Sequence, residues 1–300
     1  MMLSATIEAT EGESEGEQVE TGKGTIVRVA SISFVPQKCD LQGNSNRLEA
    51  MFRQAAAGGA KIAVGPEGAL DGYIVNEIIA GKIPAIRMYE VAVSLGDPVI
   101  QRFQTLAREL GICLVFGLAE RVDEDVYNCA LFVDDQGHIR GKYHKMQFAE
   151  GYDDSWWYNR LGQEIRAFDT PYGRCGMLIC NDRWNPCLAR ISVLDGARFL
   201  LIPAMGERST VQDVAVLNRG KENGVPVVEA NVGVTLVVND GAIVAVDREE
   251  LGVTFAEITI PPPVAVQLGD RDRVQQEFLD WRKVEMKTRL QNTWKKLKEE

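Results

Sequence analysis

From Met177 to Pro203 the chain passes from an apolar run, Met177-Leu-Ile, through the polar turn Cys180-Asn-Asp-Arg-Trp184. It continues into a segment with an apolar stripe and a glycine stop, Leu188 to Gly196, and returns to an apolar run, Ala197 to Pro203. Strand, turn, helix and strand in that order make a crossover, the connection that two parallel neighbours require. The stretch therefore predicts an α/β sheet with Cys180 at the carboxyl end of a buried strand. There the N–H groups of the following turn are free, and open sheets of this kind present their chemistry. Taken alone, Cys180 is better described as a small core residue, as most free cysteines are. A reactive role needs a base and a charge partner from elsewhere in the chain.

The same alternation runs through the rest of the chain. Thr25 to Phe34 reads as a β-branched strand, Asn44 to Gly58 as a helix, and Lys61 to Glu67 as a second strand. Asp71 to Arg87 is a loop with helical fragments, and Leu70, Tyr73 and Ile74 either line a pocket or pack. Pro98 to Gly111 is helical, Ile112 to Gly117 a strand, and Val126 to Val133 with His138 to Lys145 a hairpin around Asp134-Asp-Gln-Gly137. Met146 to Gln163 is irregular, and its Trp156, Trp157 and Tyr158 suit a pocket wall or an interface. After Pro203 come a helix, Ser209 to Asn223, and four strands ending at Ile260, before Pro261-Pro-Pro263 stops the series. Val274 to Leu297 reads as an amphipathic helix with Phe278, Trp281, Val284, Met286, Leu290 and Trp294 largely on one broad face. The organisation expected is an acidic, disordered tail over 1–24, one large α/β domain over 25–263 and a helical extension over 264–300.

Charge and cysteine usage narrow the functions. The net charge of -10, with six of the glutamates within the first 24 residues, argues against a general nucleic-acid surface. No apolar run reaches membrane-spanning length and no basic-then-apolar leader opens the sequence, which predicts a cytoplasmic protein not bound to membranes. The six cysteines form no dense framework and no CxxC pair, so reduced thiols are expected. His138 and His144, the two histidines, show no second ligand at zinc-like spacing, so no metal site is expected.

Three chemically capable side chains stand at three predicted strand ends: Glu67, Lys145 and Cys180. Individually, Glu67 is as well read as a surface carboxylate and Lys145 as a solvated cation. Together they suit nucleophilic acyl transfer. A thiolate attacks, a carboxylate takes the thiol proton and later activates water, and an ammonium with a backbone N–H holds the oxyanion. Neither a histidine, a metal nor a cofactor is required.

The sequence resembles the nitrilase superfamily of carbon–nitrogen hydrolases. Three motifs carry the resemblance in the family's order: Gly65-Pro-Glu67-Gly-Ala-Leu-Asp-Gly-Tyr73, Gly141-Lys-Tyr-His-Lys145-Met, and Gly176-Met-Leu-Ile-Cys180-Asn-Asp-Arg-Trp184. Gly196-Ala-Arg-Phe-Leu-Leu-Ile-Pro-Ala204 adds to them. The resemblance covers roughly Thr25 to Ile260 and implies a four-layer α-β-β-α sandwich, here with a C-terminal helical extension, assembled as a homodimer or a larger homo-oligomer. It implies Glu67 as base, Lys145 as oxyanion stabiliser, Cys180 as nucleophile and the Asn181 N–H as the second oxyanion donor. It further implies a second acidic residue that orients the lysine. The family's spacing puts Asp154 there, with Glu150 nearer in sequence. Arg183 is implied as a holder of a substrate carboxylate; its other reading is an ion-pair partner of Asp182. The substrates implied are small amides or N-carbamoyl compounds. The alternative is a catalytically weak relative serving as a binding or scaffold protein, motivated by Asp154, the acidic N-terminal tail and the C-terminal helix. A cysteine peptidase using His144 as base is a third reading.

Overall fold

The computed structural model describes residues 24–299, so the acidic tail lies almost wholly outside the described residues. The chain opens with β1 (Thr25–Ser33), α1 (Leu41–Ala57) and β2 (Ile62–Val64), followed by two single-turn helices, α2 (Val75–Ile79) and α3 (Arg87–Val91). Next come α4 (Pro98–Leu110), β3 (Cys113–Val122), β4 (Asp125–Val133) and β5 (Ile139–His144). The second half holds β6 (Phe168–Thr170), β7 (Gly173–Met177), a 3₁₀ turn over Cys180–Trp184, α5 (Pro186–Leu194), β8 (Phe199–Ala204) and α6 (Thr210–Asn223). It closes with β9 (Val227–Asn231), β10 (Val234–Asn239), β11 (Ala242–Asp247), β12 (Gly252–Ile260) and α7 (Leu268–Glu299).

The strands form two six-stranded mixed sheets, in the orders β12-β1-β2-β3-β4-β5 and β11-β10-β9-β8-β7-β6. The centre of each is parallel: β1, β2 and β3 in one, β7, β8 and β9 in the other. The sheets pack face to face, because the strands alternate between two buried environments. On β1, Val27 and Val29 enter the core between the sheets, whereas Ala30 and Ile32 face the outer layer with Leu48 and Phe52 of α1 and Phe103 of α4. Helices α5 and α6 cover the outside of the second sheet. The expected four-layer α-β-β-α sandwich is thus the fold observed.

Two local expectations are corrected. The strand before Cys180 is Gly173–Met177 rather than Met177-Leu-Ile, and Leu178 and Ile179 carry the chain, fully buried, from its end to the turn. In α7 only Phe278, Met286 and Leu290 of the six expected residues are buried. Trp281, Val284 and Trp294 are exposed, and the helix is also held by polar anchors. Arg282 donates to the carbonyls of Met146 (3.1 Å) and Gly162 (2.7 Å).

Candidate active site

Glu67 lies on a turn three residues past β2. The close approach of that turn to β3 depends on Gly117, where a Cβ would stand 2.6 Å from the Glu67 Cα. The carboxylate is fully buried and accepts three hydrogen bonds. Its Oε1 accepts from Lys145 Nζ (2.6 Å) and Asn128 Nδ2 (2.7 Å), and its Oε2 from the Met205 N–H (3.0 Å) beyond β8. Lys145 follows β5 directly and is 2% exposed, with its ammonium 5.4 Å from the centre of the Tyr73 ring. Burial acts against the ammonium. The acidic neighbours, Glu67 first, then Tyr73, Cys180 and Glu150, outweigh it and hold the lysine well above its ordinary pKa.

Cys180 opens the 3₁₀ turn with φ +46°, a left-handed conformation that a side-chain-bearing residue adopts at some cost. Asp182 holds that elbow. Its carboxylate accepts from the Ile179 N–H (3.1 Å), the Gln147 N–H (3.0 Å) and the Tyr143 hydroxyl (2.8 Å). Gln147 Nε2 also donates to the Asn181 carbonyl (2.8 Å). Asp182 therefore does not pair with Arg183. Burial pushes its carboxyl up to about 6. The Cys180 thiol is pushed up to about 11, first by burial and then by Glu67, against the opposing pull of Lys145 and Arg183.

A cavity of about 370 Å³ opens on the sulfur. Tyr73, Lys145, Glu150, Cys180, Asn181 and Arg183 all line it, together with Asn76, Ala149, Trp184 and the Met205–Glu207 segment. Glu67 sits behind Lys145, joined to it by the 2.6 Å contact. The structure does not bring Asp154 here. That residue is exposed and its carbonyl accepts from Arg160 Nη1 (2.8 Å), whereas Glu150 reaches the cavity wall within reach of Tyr73 Oη (3.5 Å). Burial raises the Glu150 carboxyl above its usual range, against Lys145.

The reason lies in α7, which pins this segment from behind. Arg289 donates to the Phe148 carbonyl (3.1 Å), Thr293 to the Glu150 carbonyl (2.9 Å), and the Tyr152 N–H donates to the Met286 carbonyl (3.1 Å). Gly151, at φ +88°, passes so close to Leu290 that a Cβ would meet its backbone nitrogen at 2.1 Å. Counting residues from Lys145 cannot reveal a spacing set by a helix whose contacts with Phe148 span 138 and 141 positions.

Arg183 lines the cavity with its guanidinium already engaged. It is 1% exposed, donates to Glu229 Oε1 (2.9 Å) and points a second nitrogen at the Glu207 carbonyl (3.4 Å). Trp156 and Tyr158 pack behind Tyr73, and Trp157 stacks on Tyr89, so these aromatics support the wall rather than form it. His144 points to Glu120 on the far side of its sheet, away from the cavity, which leaves no histidine base for the peptidase reading. The residues missed in the sequence are Asn128, Gln147, Tyr143 and Glu229. Alternation on buried strands was the signal for Asn128, Tyr143 and Glu229, whereas Gln147 lies past the end of β5 on an irregular segment that offered none.

The carbon-nitrogen hydrolase family profile matches residues 28–261, and the chain belongs to that family. Among curated relatives, it is 30% identical over 191 residues to a citrullinase of Francisella tularensis and 30% identical over 184 residues to an N-carbamoylputrescine amidase of Oryza sativa. These matches cover 62% and 61% of this chain, and span 64% and 59% of the relatives' own length. Among solved structures, an amidase from Nesterenkonia sp. superposes with a TM-score of 0.67 at 21% identity, over 88% of this chain and 100% of that one, a likeness of fold. Among the described residues no helix is long and apolar enough to cross a membrane.

Proposed function

We propose that this protein hydrolyses the C–N bond of a small amide or N-carbamoyl compound through a thioester on Cys180. The observation that carries the reading is the buried 2.6 Å Glu67–Lys145 contact, with Lys145 and Cys180 lining one cavity. A thiol held near 11 is protonated at neutral pH and needs a base as it attacks, and Glu67 is the carboxylate available to take its proton. The sulfur adds to the carbonyl carbon, and the oxygen gains negative charge against the Lys145 ammonium and the Asn181 N–H. Collapse breaks the C–N bond, and the leaving ammonia or amine takes the proton from Glu67. Water, deprotonated by Glu67, then adds to the thioester, and release of the acid restores the thiol. Glu150 orients Lys145 and keeps a carboxylate at the cavity wall.

The cavity also bears on the substrate. Both its cations are matched, Lys145 by Glu67 and Arg183 by Glu229, whereas Glu150 and Glu207 add carboxylates to its lining. The substrate end remote from the scissile bond is therefore neutral or cationic, which speaks against Arg183 as the holder of a substrate carboxylate. The scaffold alternative drew in part on Asp154, and the carboxylate of Glu150 at the cavity weakens that one of its motives.

The test is ammonia release over a panel of N-carbamoyl diamines, N-carbamoyl amino acids, short amides and nitriles, run beside Cys180→Ala. Turnover of a neutral or cationic amide or carbamoyl compound, absent from the variant, is expected. Turnover that persists in Cys180→Ala contradicts the mechanism, and a preference for N-carbamoyl amino acids contradicts the reading of the cavity's charge.

A further inference from the structure

One cluster of chemically capable side chains has no part in the acyl-transfer scheme. Glu120 on β3, Cys129 on β4 and His144 at the end of β5 come from three adjacent antiparallel strands. In that register Cys129 lies opposite His144 and two residues on from Tyr127, the partner of Glu120, so that both fall on the same face. All three side chains point to the same face, and a carboxylate oxygen, the sulfur and an imidazole nitrogen lie within 4.8 Å of one another. Glu120 is 2% exposed, Cys129 is fully buried and His144 is partly exposed, so the cluster is walled by protein and opens to water on the histidine side. The Tyr127 ring stacks on His144 at 4.1 Å and fixes the plane of the imidazole.

From this geometry we infer a binding site for a borderline-soft divalent cation of the zinc class, held by Glu120, Cys129 and His144. The donor set suits it: one thiolate, one imidazole and one carboxylate are ligands that tetrahedral zinc accepts. Metal–ligand bonds of about 2.0–2.3 Å place tetrahedral donors roughly 3.5 Å apart, which these side chains reach without movement of the strands. His144 Nε2 and Glu120 Oε2 already stand 2.5 Å apart and the Cys129 thiol donates to the Ala130 carbonyl (3.6 Å), so an ion enters by separating the first pair and replacing the thiol proton. The other carboxylate oxygen keeps its bond to Lys142 Nζ (2.7 Å), which fixes the carboxylate as a metal-bound group's outer partner would. Water completes the coordination from the exposed side. Binding breaks the S–H bond of Cys129 and forms a sulfur–metal bond. The proton passes to solvent and no electrons change hands. The metal's charge is then balanced by one thiolate and one carboxylate. Since β5 leads straight into Lys145, the ion would tie β3, β4 and β5 together one residue before the candidate active site.

The experiment is titration of the full-length protein with cobalt(II), whose thiolate complexes give a near-ultraviolet charge-transfer band and visible d–d bands. The expected result is saturable binding of one cobalt per chain with both signatures, displaced by zinc. Cys180→Ser should retain the bands, and Cys129→Ser should lose the charge-transfer band. His144→Asn, at a partly exposed position where the fold is little taxed, should weaken binding at least tenfold. Circular dichroism of each variant establishes that it is folded. Absence of the bands at millimolar cobalt in the wild-type protein overturns the inference. So does a charge-transfer band that survives Cys129→Ser or disappears in Cys180→Ser. Cobalt absorption reports on this cluster independently of turnover, so the result does not depend on the proposed hydrolysis.

Discussion

Replacing Glu67 by glutamine tests whether the buried pair with Lys145 is ionic. The substitution keeps the shape of the side chain and removes its charge. Glu67 accepts three hydrogen bonds, from Lys145, Asn128 and the Met205 N–H. A glutamine has one oxygen, so whichever way its amide is turned, an N–H₂ faces at least one of those donors. Lys145, 2% exposed, then lacks its nearest counter-charge. Removing one partner of a buried ion pair costs about 3–5 kcal/mol, which in a domain of this size lowers Tm by roughly 6–20 °C. Replacing both, as in Glu67→Leu with Lys145→Met, removes the stranded charge, so the double variant should melt above Glu67→Gln while remaining inactive. Calorimetry of the three proteins with ammonia release in parallel supplies both readouts. A Glu67→Gln protein that melts within 2 °C of wild type, a shift of about 1 kcal/mol or less, would refute the ionic pair. With it would fall the charge-based account of the oxyanion site.

Four further outcomes are expected. With the Cys180 thiol near 11, its alkylation by iodoacetamide in the resting protein should rise about tenfold per pH unit from pH 7 to 10 without a plateau, measured by peptide mass mapping. Asp182 is raised to about 6, so as pH climbs from 4 to 6 the unfolded chain releases this proton before the folded one, and stability falls. The contribution is roughly 2 kcal/mol over that window, and denaturant titrations of Asp182→Asn should show that part of the slope removed. Gly117→Ala forces the Glu67 turn away from β3 and should reduce kcat about a hundredfold or more, a displacement of order 1 Å at the proposed base. Arg289→Met with Thr293→Val releases the Glu150 segment from α7. It should lower kcat about tenfold with Tm shifted by only a few degrees, as steady-state kinetics and calorimetry would show.

The parts of this protein that were legible in its sequence share one property: they are local. Glu67 and Cys180 each follow an apolar strand or its extension, Lys145 follows the second strand of a hairpin, and the crossover around Cys180 left little freedom for the sheet that presents it. The parts that were not legible depend on partners distant in sequence. Asn128 looks like any polar residue on an alternating strand until β4 is laid against the Glu67 turn. Glu150 and Asp154 differ by four positions on an irregular segment, and only the clamp from Arg289, Thr293 and Leu290 of α7 decides which carboxylate faces inward. Arg183 showed its adjacency to Asp182, whereas its partner, Glu229, comes from β9, 46 residues on. His144 has no nearby second ligand in the chain, yet register across three strands puts it beside Cys129 and Glu120.

The central claim is that bond cleavage passes through an acyl group on Cys180. The most direct measurement is mass spectrometry of a reaction quenched in acid during turnover of the best substrate in the panel, with peptide mapping of the adduct. The account predicts a protein heavier by the acyl or carbamoyl group, carried on the peptide containing Cys180 and discharged when the substrate is exhausted. Turnover with no such adduct on Cys180 at any quench time, joined to full activity in Cys180→Ala, would contradict it.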